Sequence, residues 1–282
     1  MKTTLHFIML ASFIFCFTFT FVAHAAPLFG LGSSEATGAP TPVSLATVNA
    51  TLSRPAQFAR AAYCPSASVE SWNCGLPCDS LNGVTFLQAG GDQGAVPFYF
   101  IAHDSVDQSL VVAHEGTDPN NLLSLLNDAE FALVNVNTTS IPQAAGKGIK
   151  VHDGFQQTFQ RTADGLLAGV KTNLASTGVK KVVVTGHSLG MHRGLFSARC
   201  RKLIAGMDSS ASPSSRTKTT PSPLSPPLLF GFTHSAGEIH IVDASQTNIV
   251  SCPGHDNKNC ATGNSLLHLS VQNHLGEFGS FF

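Results

Sequence analysis

The sequence predicts the α/β fold class, mainly because a helix is followed directly by an apolar strand. Between residues 155 and 174 the apolar side chains recur at intervals of three, four and seven. This spacing is typical of one face of a helix, and the helix should end near Gly178. Residues 181–185, KVVVT, then read as a short buried strand. A helix followed by such a strand is half of a parallel α/β unit.

The earlier part of the chain supplies further elements of the same class. Residues 45–62 are predicted to form a first helix. Two β-rich runs, at residues 96–102 and 110–114, surround the polar stretch DSVDQS and predict a hairpin. Residues 131–136 are predicted to form another strand.

Composition excludes several functional classes. The chain has 282 residues with 16 Lys+Arg against 17 Asp+Glu, so it offers no basic face for nucleic acid. Only 12% of the residues are charged and 43% are hydrophobic, which excludes disorder of the whole chain and a coiled coil. The length and apolar content suffice for a sizeable core.

The first 25 residues predict a secretory signal peptide. Lys2 is followed by an uncharged run over residues 7–22 and then by Ala-His-Ala, which indicates cleavage after Ala25. A membrane anchor is the alternative, but the run is short for a bilayer, and no later stretch is apolar enough to span one. Residues 26–45 are predicted to be a flexible leader, and residues 46–282 the folded domain.

Four cysteines lie close together in pairs along the chain. Cys74 and Cys78 are four residues apart, and Cys252 and Cys260 bracket a polar loop. Two short disulfides suit an oxidising compartment. A zinc site is the alternative, although these spacings fit zinc poorly. Asn49 and Asn137 each begin an N-glycosylation sequon, which agrees with secretion.

The strand at residues 181–185 leads straight into Gly186-His187-Ser188-Leu189-Gly190. The pattern G-x-S-x-G after a β-branched run is typical of the turn that presents a nucleophilic serine. Glycines are needed on both sides because side chains two residues from Ser188 would collide in such a turn. The Leu189 amide would point at a developing oxyanion. An ordinary glycine-rich turn is the alternative.

Several further motifs, in the expected order, resemble the secreted fungal class 3 lipases and the related feruloyl esterases. These motifs are VVAHEGTDP at 111–119, VHDGF at 151–155, GHSLG at 186–190, FGFTH at 230–234, GEI at 237–239 and NHLG at 273–276. The resemblance implies an α/β-hydrolase fold with a central, mostly parallel sheet flanked by helices. It also implies hydrolysis of carboxylic esters, commonly triacylglycerols, at a lipid–water interface by a secreted monomer, with no metal or organic cofactor.

The same resemblance assigns roles to particular residues. Ser188 is expected to be the nucleophile and His274 the general base that takes and returns its proton. Thr117 matches the second oxyanion residue beside Leu189, and residues 118–128 match the position of a lid helix. The family also places short disulfides in the regions of the two cysteine pairs, which favours Cys74–Cys78 and Cys252–Cys260.

The segment 191–225 departs from this pattern. Residues 208–227 contain seven Ser, five Pro and three Thr, a composition of loops in which no strand can be read. The slot of the catalytic acid holds Thr220, and Asp208 is the only carboxylate in the segment. The fold is therefore expected to be incomplete after the serine turn, with the third member of the triad unassigned and Asp208 a weak candidate.

Three functions remain open on the sequence alone. The first is an extracellular carboxylic ester hydrolase of the lipase or feruloyl esterase type. The second is a non-catalytic or defective relative that lacks the triad acid and a core strand. The third is a small disulfide-linked binding module, which leaves the setting of Ser188 unexplained.

Overall fold

The structure of the chain is a computed structural model. It describes residues 38–94, 96–116, 132–188, 190, 209–211, 215–217, 236–243 and 247–263. The predicted signal peptide lies outside the described residues, as do most of the leader and the predicted lid.

In the described part of the chain, four α-helices precede the predicted hairpin in the sequence and two follow it. They are α1 (Leu45–Val48), α2 (Arg54–Ala61), α3 (Ser66–Glu70), α4 (Leu76–Asp79), α5 (Asp153–Gln160) and α6 (Ala163–Thr177). A π-helical turn, Asn49–Ser53, joins α1 to α2, and 3-10 turns lie at Pro142–Ala144 and Ala261–Gly263. None of the helices in the described part of the chain is long and apolar enough to cross a membrane.

Eleven strands occur in the described part of the chain. They are β1 (Thr41–Pro42), β2 (Val84–Gly90), β3 (Tyr99–Asp104), β4 (Ser109–His114), β5 (Leu133–Asn135), β6 (Lys150–His152), β7 (Lys181–Gly186), β8 (Ser209–Ala211), β9 (Ser215–Thr217), β10 (Glu238–Ile241) and β11 (Ile249–Cys252). The predicted first helix, hairpin and strand before Ser188 therefore all form.

A five-stranded sheet in the order β2-β3-β4-β7-β8 is the centre of the fold. β2, β3 and β4 form an antiparallel meander, and β7 joins β4 in parallel. In this register His114 lies opposite Gly186, so β4 and β7 end side by side. The parallel crossover through α5 and α6 thus brings the end of β4 next to Ser188. A second sheet has the order β1-β11-β10-β9, and β5 pairs with β6.

Hydrophobic cores cover both faces of the central sheet. On one face, Ile101, Val112 and Val184 pack with α5 and α6. On the other face, Phe100 and Val111 pack with α2 and α3. Because successive strand residues point to opposite faces, a strand buried on both faces reads as a continuous apolar run. Residues 182–184, Val-Val-Val, are such a run, and all three are buried.

The single helix predicted at residues 155–174 is wrong in one respect, because the structure divides it into α5 and α6. The break falls at Arg161 and Thr162, where the Thr162 backbone N–H and hydroxyl both donate to the carbonyl of Phe159. A Thr side chain that bonds the preceding turn competes with the helical pattern. The predicted stop is confirmed, since Gly178 caps α6 with a φ of 72°.

Two expectations for the irregular segments are corrected. The segment predicted to hold no strand contains β8 and β9, of which β8 pairs in parallel with β7 and extends the central sheet. Strand pairing needs only backbone N–H and C=O groups, so a run of Ser and Ala can supply it. The end of the predicted flexible leader is also ordered, because β1 pairs with β11.

A buried ion pair fastens the start of α2 to the end of β3. The Asp104 carboxylate is 1% exposed and accepts hydrogen bonds from Arg54 Nε and Nη2 at 2.6 and 2.7 Å. It also accepts from the backbone N–H groups of Val106 and Asp107 at 3.0 and 3.2 Å. These hydrogen bonds satisfy the Asp104 carboxylate. Replacing Asp104 would leave the Arg54 guanidinium without its counter-charge.

Replacing Asp104 with Ala is expected to lower the free energy of unfolding by about 3 kcal/mol, because the partly buried Arg54 loses its counter-charge. Urea unfolding measures the change. The matched control is Lys181→Gln, which breaks the exposed Lys181–Asp107 pair, with side chains 39% and 41% exposed. That control should cost less than about 1 kcal/mol. Equal losses in the two variants would contradict the role given to Asp104.

Candidate active site

Ser188 occupies a strained turn just beyond the end of β7. Its φ is +55°, a left-handed conformation that non-glycine residues seldom adopt, and its side chain is 5% exposed. The turn is closed by a hydrogen bond of 2.9 Å from the Gly190 N–H to the His187 carbonyl. Strain of this kind is found where a side chain must be held for chemistry. A left-handed residue in a tight turn after a strand is the conformation that the G-x-S-x-G pattern predicts for Ser188.

Gly190 lies against the backbone at the end of β4. A Cβ at this position would lie 2.5 Å from the His114 carbonyl oxygen and 2.8 Å from that of Glu115. Both are closer than real Cβ atoms come, and backbone cannot move aside as the tip of a side chain can. The second glycine of the motif thus has the steric role predicted for it.

The chain after β4 passes directly beside this turn. The Glu115 backbone N–H donates to the Phe98 carbonyl at 2.9 Å, and the Glu115 Oε2 accepts from the Phe98 N–H at 2.8 Å. A Cβ on Gly116 would collide with the Tyr63 hydroxyl and with the His187 carbonyl oxygen. Residues 115–116 are thus fixed to Phe98, the residue before β3, and packed against the serine turn. The next residue along the chain is Thr117.

The backbone of α2 and a side chain from the segment after it support the strand end and the serine turn. The Tyr63 hydroxyl and His187 Nδ1 share a hydrogen bond of 2.8 Å, and the two rings lie 5.8 Å apart. The Thr185 hydroxyl donates to the Pro55 carbonyl at 2.9 Å. Sequence reasoning assigned no role to Tyr63 or Glu115. No local pattern marks Tyr63, because its partner lies 124 residues away.

Several residues predicted for the site lie outside the described residues. These are Thr117, the lid at 118–128, Leu189, Asp208, Thr220 and His274. The described structure therefore brings together the serine turn and the chain leading into Thr117, and the roles of the other residues stay predictions.

The four paired cysteines form two disulfides, Cys74–Cys78 and Cys252–Cys260. These are the pairings that sequence proximity favours, and sulfurs bonded to each other are not available as thiolate ligands for zinc. No group of three or more metal-binding side chains occurs within the described ranges. Of the described cysteines, Cys64 is the free thiol, and burial raises the pKa of this thiol. A raised pKa makes it a poor alternative nucleophile.

His152 is the N-terminal cap of α5. Its Nδ1 accepts from the Phe155 N–H at 3.4 Å, and the two rings stack at 4.3 Å. Burial lowers the pKa of His152 below its usual value, partly opposed by the charge of Asp153. Only the neutral imidazole can accept the hydrogen bond of the cap.

Acidification should therefore destabilise the fold through His152. Above the unfolded pKa of about 6.5 both states are neutral and the stability is complete. As the pH falls through 6.5 the unfolded state takes up the proton first, so stability is lost until the lower folded pKa is passed. His152→Asn keeps a helix cap without a titrating group. The fall in thermal midpoint between pH 7.5 and 5.5 should be smaller in this variant, and an equal fall would contradict the assignment.

Comparison with known proteins finds similarity to lipases. Residues 111–199 match the family model "Lipase (class 3)". A secreted mono- and diacylglycerol lipase of Malassezia globosa is 38% identical over 96 residues, which are 34% of this chain and 31% of that protein. A second lipase of that description from the same organism is 27% identical over 72% of each chain. The chain thus spans less than a third of the first relative and nearly three quarters of the second.

Solved lipase structures share the fold. Lipase II from Rhizopus niveus superposes with a TM-score of 0.74 at 21% identity, over 86% of this chain and all of that one. A Rhizomucor miehei triacylglyceride lipase gives 0.73 at 21% identity, over 86% of this chain and 97% of that one. The protein thus has the α/β-hydrolase fold. The class 3 lipase family model matches the part of the chain that holds β4, β7 and the serine turn, so the chain is similar to that family over this segment.

Proposed function

We propose that the protein is a secreted carboxylic ester hydrolase of the lipase type, with Ser188 as its nucleophile. The observation that carries the proposal is the left-handed turn at Ser188, formed at the end of a parallel strand and packed on the end of β4. In open α/β sheets, ligands bind beyond the carboxyl ends of the strands, where Ser188 lies.

The reaction proceeds in two halves that share an acyl-enzyme. Ser188 Oγ attacks the ester carbonyl carbon while its proton passes to a general base. The family motif indicates His274 as that base. The carbonyl oxygen becomes an oxyanion, for which the Leu189 amide and Thr117 are the nominated donors. The C–O bond to the alcohol then breaks as the base returns the proton. Water releases the acid and restores Ser188 by the same steps.

The position of Gly116 supports the role proposed for Thr117. The backbone of Gly116 lies so close to His187 that a Cβ would contact its carbonyl oxygen. The residue before Thr117 is therefore in van der Waals contact with the serine turn. Donors on two adjacent segments can act on one oxyanion only if those segments are held in fixed positions.

We propose an acylglycerol as the substrate, because the two Malassezia relatives are named as mono- and diacylglycerol lipases. A triacylglycerol is the substrate implied by the motifs, and a feruloyl ester is the alternative. We also propose an extracellular location. The relatives are named as secreted, and the two disulfides are typical of an oxidising compartment. The sequons at Asn49, which is exposed, and Asn137 are proposed glycosylation sites.

The third member of the triad, an acid, has no assigned residue. This favours a second candidate function, that of a lipase relative with little or no turnover. The family slot holds Thr220. The parallel register pairs Ser209 with Val182, four residues before the end of β7 at Gly186. At about 3.3 Å per residue the chain enters β8 roughly 13 Å from the end that carries Ser188. The first described residue of β8 therefore lies far from Ser188, and the triad acid stays unassigned. In a serine protease, replacing that acid with its amide lowers turnover by about 10⁴.

Titration of released acid from emulsions of mono-, di- and triacylglycerol, beside a soluble feruloyl ester, tests the proposal. The ester hydrolase is supported by release from any of these substrates that a fluorophosphonate abolishes. Release from the acylglycerols and not from the feruloyl ester identifies the lipase type. A protein that a fluorophosphonate labels but that releases no acid is the weakly active relative. A protein that is neither labelled nor active contradicts the proposal.

A further inference from the structure

Tyr63 lies where the serine turn meets the chain leading into Thr117. Its hydroxyl shares the 2.8 Å hydrogen bond with Nδ1 of His187, the residue before Ser188. The same hydroxyl occupies the space that a Cβ on Gly116 would need. One oxygen atom thus contacts both segments that carry the proposed reaction.

The backbone around Tyr63 is fixed, so its side chain can hold other groups in place. The Tyr63 N–H donates to the Arg60 carbonyl at 3.0 Å, and the Cys64 N–H donates to the Ala61 carbonyl at 3.0 Å. Ala61 is fully buried in the core between α2 and the central sheet. The phenol therefore extends from a rigid helix end towards a strained turn.

We infer that Tyr63 is a positioning residue that keeps the serine turn and residues 115–116 at a fixed separation. The inference rests on the proposed function, in which Ser188 attacks and donors on these two segments stabilise the oxyanion. The hydroxyl bonds the ring of His187, and it also fills the gap beside Gly116. Loss of the oxygen removes both contacts, although the phenyl ring stays beside the imidazole.

This role differs from simple packing. A side chain that only fills space contributes to stability, whereas one that sets the distance between nucleophile and oxyanion donors contributes to the transition state. Tyr63 is half-buried, so losing its hydroxyl leaves no deeply buried cavity. The inference therefore predicts a larger effect on turnover than on folding.

Tyr63→Phe tests the inference by removing one oxygen atom. We expect kcat to fall about 10-fold or more, since small displacements of reacting groups are costly, with KM nearly unchanged. The rate of Ser188 labelling by a fluorophosphonate should fall in parallel, and the thermal midpoint should stay close to that of the unmodified protein. Tyr99→Phe is the matched control at the chain's other tyrosine, which is 3% exposed and hydrogen-bonded to Gln88. It should lower the thermal midpoint and leave kcat unchanged.

A double-mutant cycle with His187→Phe shows whether Tyr63 acts through the imidazole. The double variant should lose much less than the product of the two single losses, because both changes remove the same hydrogen bond and only the contact of the oxygen with Gly116 is lost in addition. Losses of kcat that multiply in the double variant would overturn the inference. So would a fall in the thermal midpoint of Tyr63→Phe large enough to account for its loss of rate. If the unmodified protein is labelled at Ser188 and Tyr63→Phe is labelled equally fast, only the role of Tyr63 is overturned. If the unmodified protein is not labelled at all, the proposed function fails as well.

Discussion

Replacing Ser188 with Ala is expected to abolish ester hydrolysis, with a loss of about 10³-fold or more. The methyl group cannot form the acyl-enzyme, so the two-step path is closed. His274→Ala should lose nearly as much, and the double variant should lose no more, because nucleophile and base act as one unit. Rates of p-nitrophenyl ester hydrolysis measure these losses.

Ser71→Ala is the matched control for this prediction. Ser71 is exposed, and its hydroxyl donates to the Ala67 carbonyl at 2.8 Å, away from the site. The control should hydrolyse the ester at the rate of the unmodified protein. Unchanged turnover in Ser188→Ala, with the same batch of substrate, would refute the assignment of the nucleophile.

Gly190→Ala is expected to damage both folding and activity. The added Cβ would meet the carbonyl oxygens of His114 and Glu115 at 2.5 and 2.8 Å, so the backbone must move. Overpacking of this kind costs about 1–3 kcal/mol of unfolding free energy. A shift of the turn by about 1 Å would also displace Ser188 and lower kcat roughly 100-fold. Urea unfolding and ester hydrolysis on one preparation measure the two effects.

Gly165→Ala is the control for the glycine substitution. Gly165 lies in α6, and the nearest atom to its added Cβ is the Tyr99 hydroxyl at 3.5 Å, an ordinary contact. Alanine is the better helix former by about 1 kcal/mol, so this variant should be as stable as the unmodified protein or more stable. If Gly190→Ala behaves like Gly165→Ala, the close approach of the turn to β4 is not a structural requirement.

The fold around Ser188 could be predicted because its signals are local. The apolar run at residues 182–184 marks a strand that is buried on both faces, and the glycine of the G-x-S-x-G motif at position 190 marks a steric restriction. Each signal depends on residues within one turn or one strand. The structure confirms the strand and places Ser188 in the expected conformation.

The missed features depend on partners that lie far away in the sequence. β8 consists of Ser209, Ser210 and Ala211, which show no apolar alternation, and it exists because the edge of β7 accepts it. Tyr63 gains its place through a hydrogen bond across 124 residues. The break between α5 and α6 could be predicted only in part, because the helical spacing continues across Thr162, whose backbone N–H and hydroxyl both donate to the Phe159 carbonyl.

The modified residue after treatment with a fluorophosphonate tests the central claim most directly. Trypsin cleavage after Lys181 and Arg193 releases the peptide 182–193, in which Ser188 is the only serine. We predict that mass spectrometry finds one phosphonyl group per chain, on Ser188 of this peptide, and none after Ser188→Ala. Modification at any other residue, or an unmodified peptide 182–193 from folded protein, would contradict the claim that Ser188 is the nucleophile.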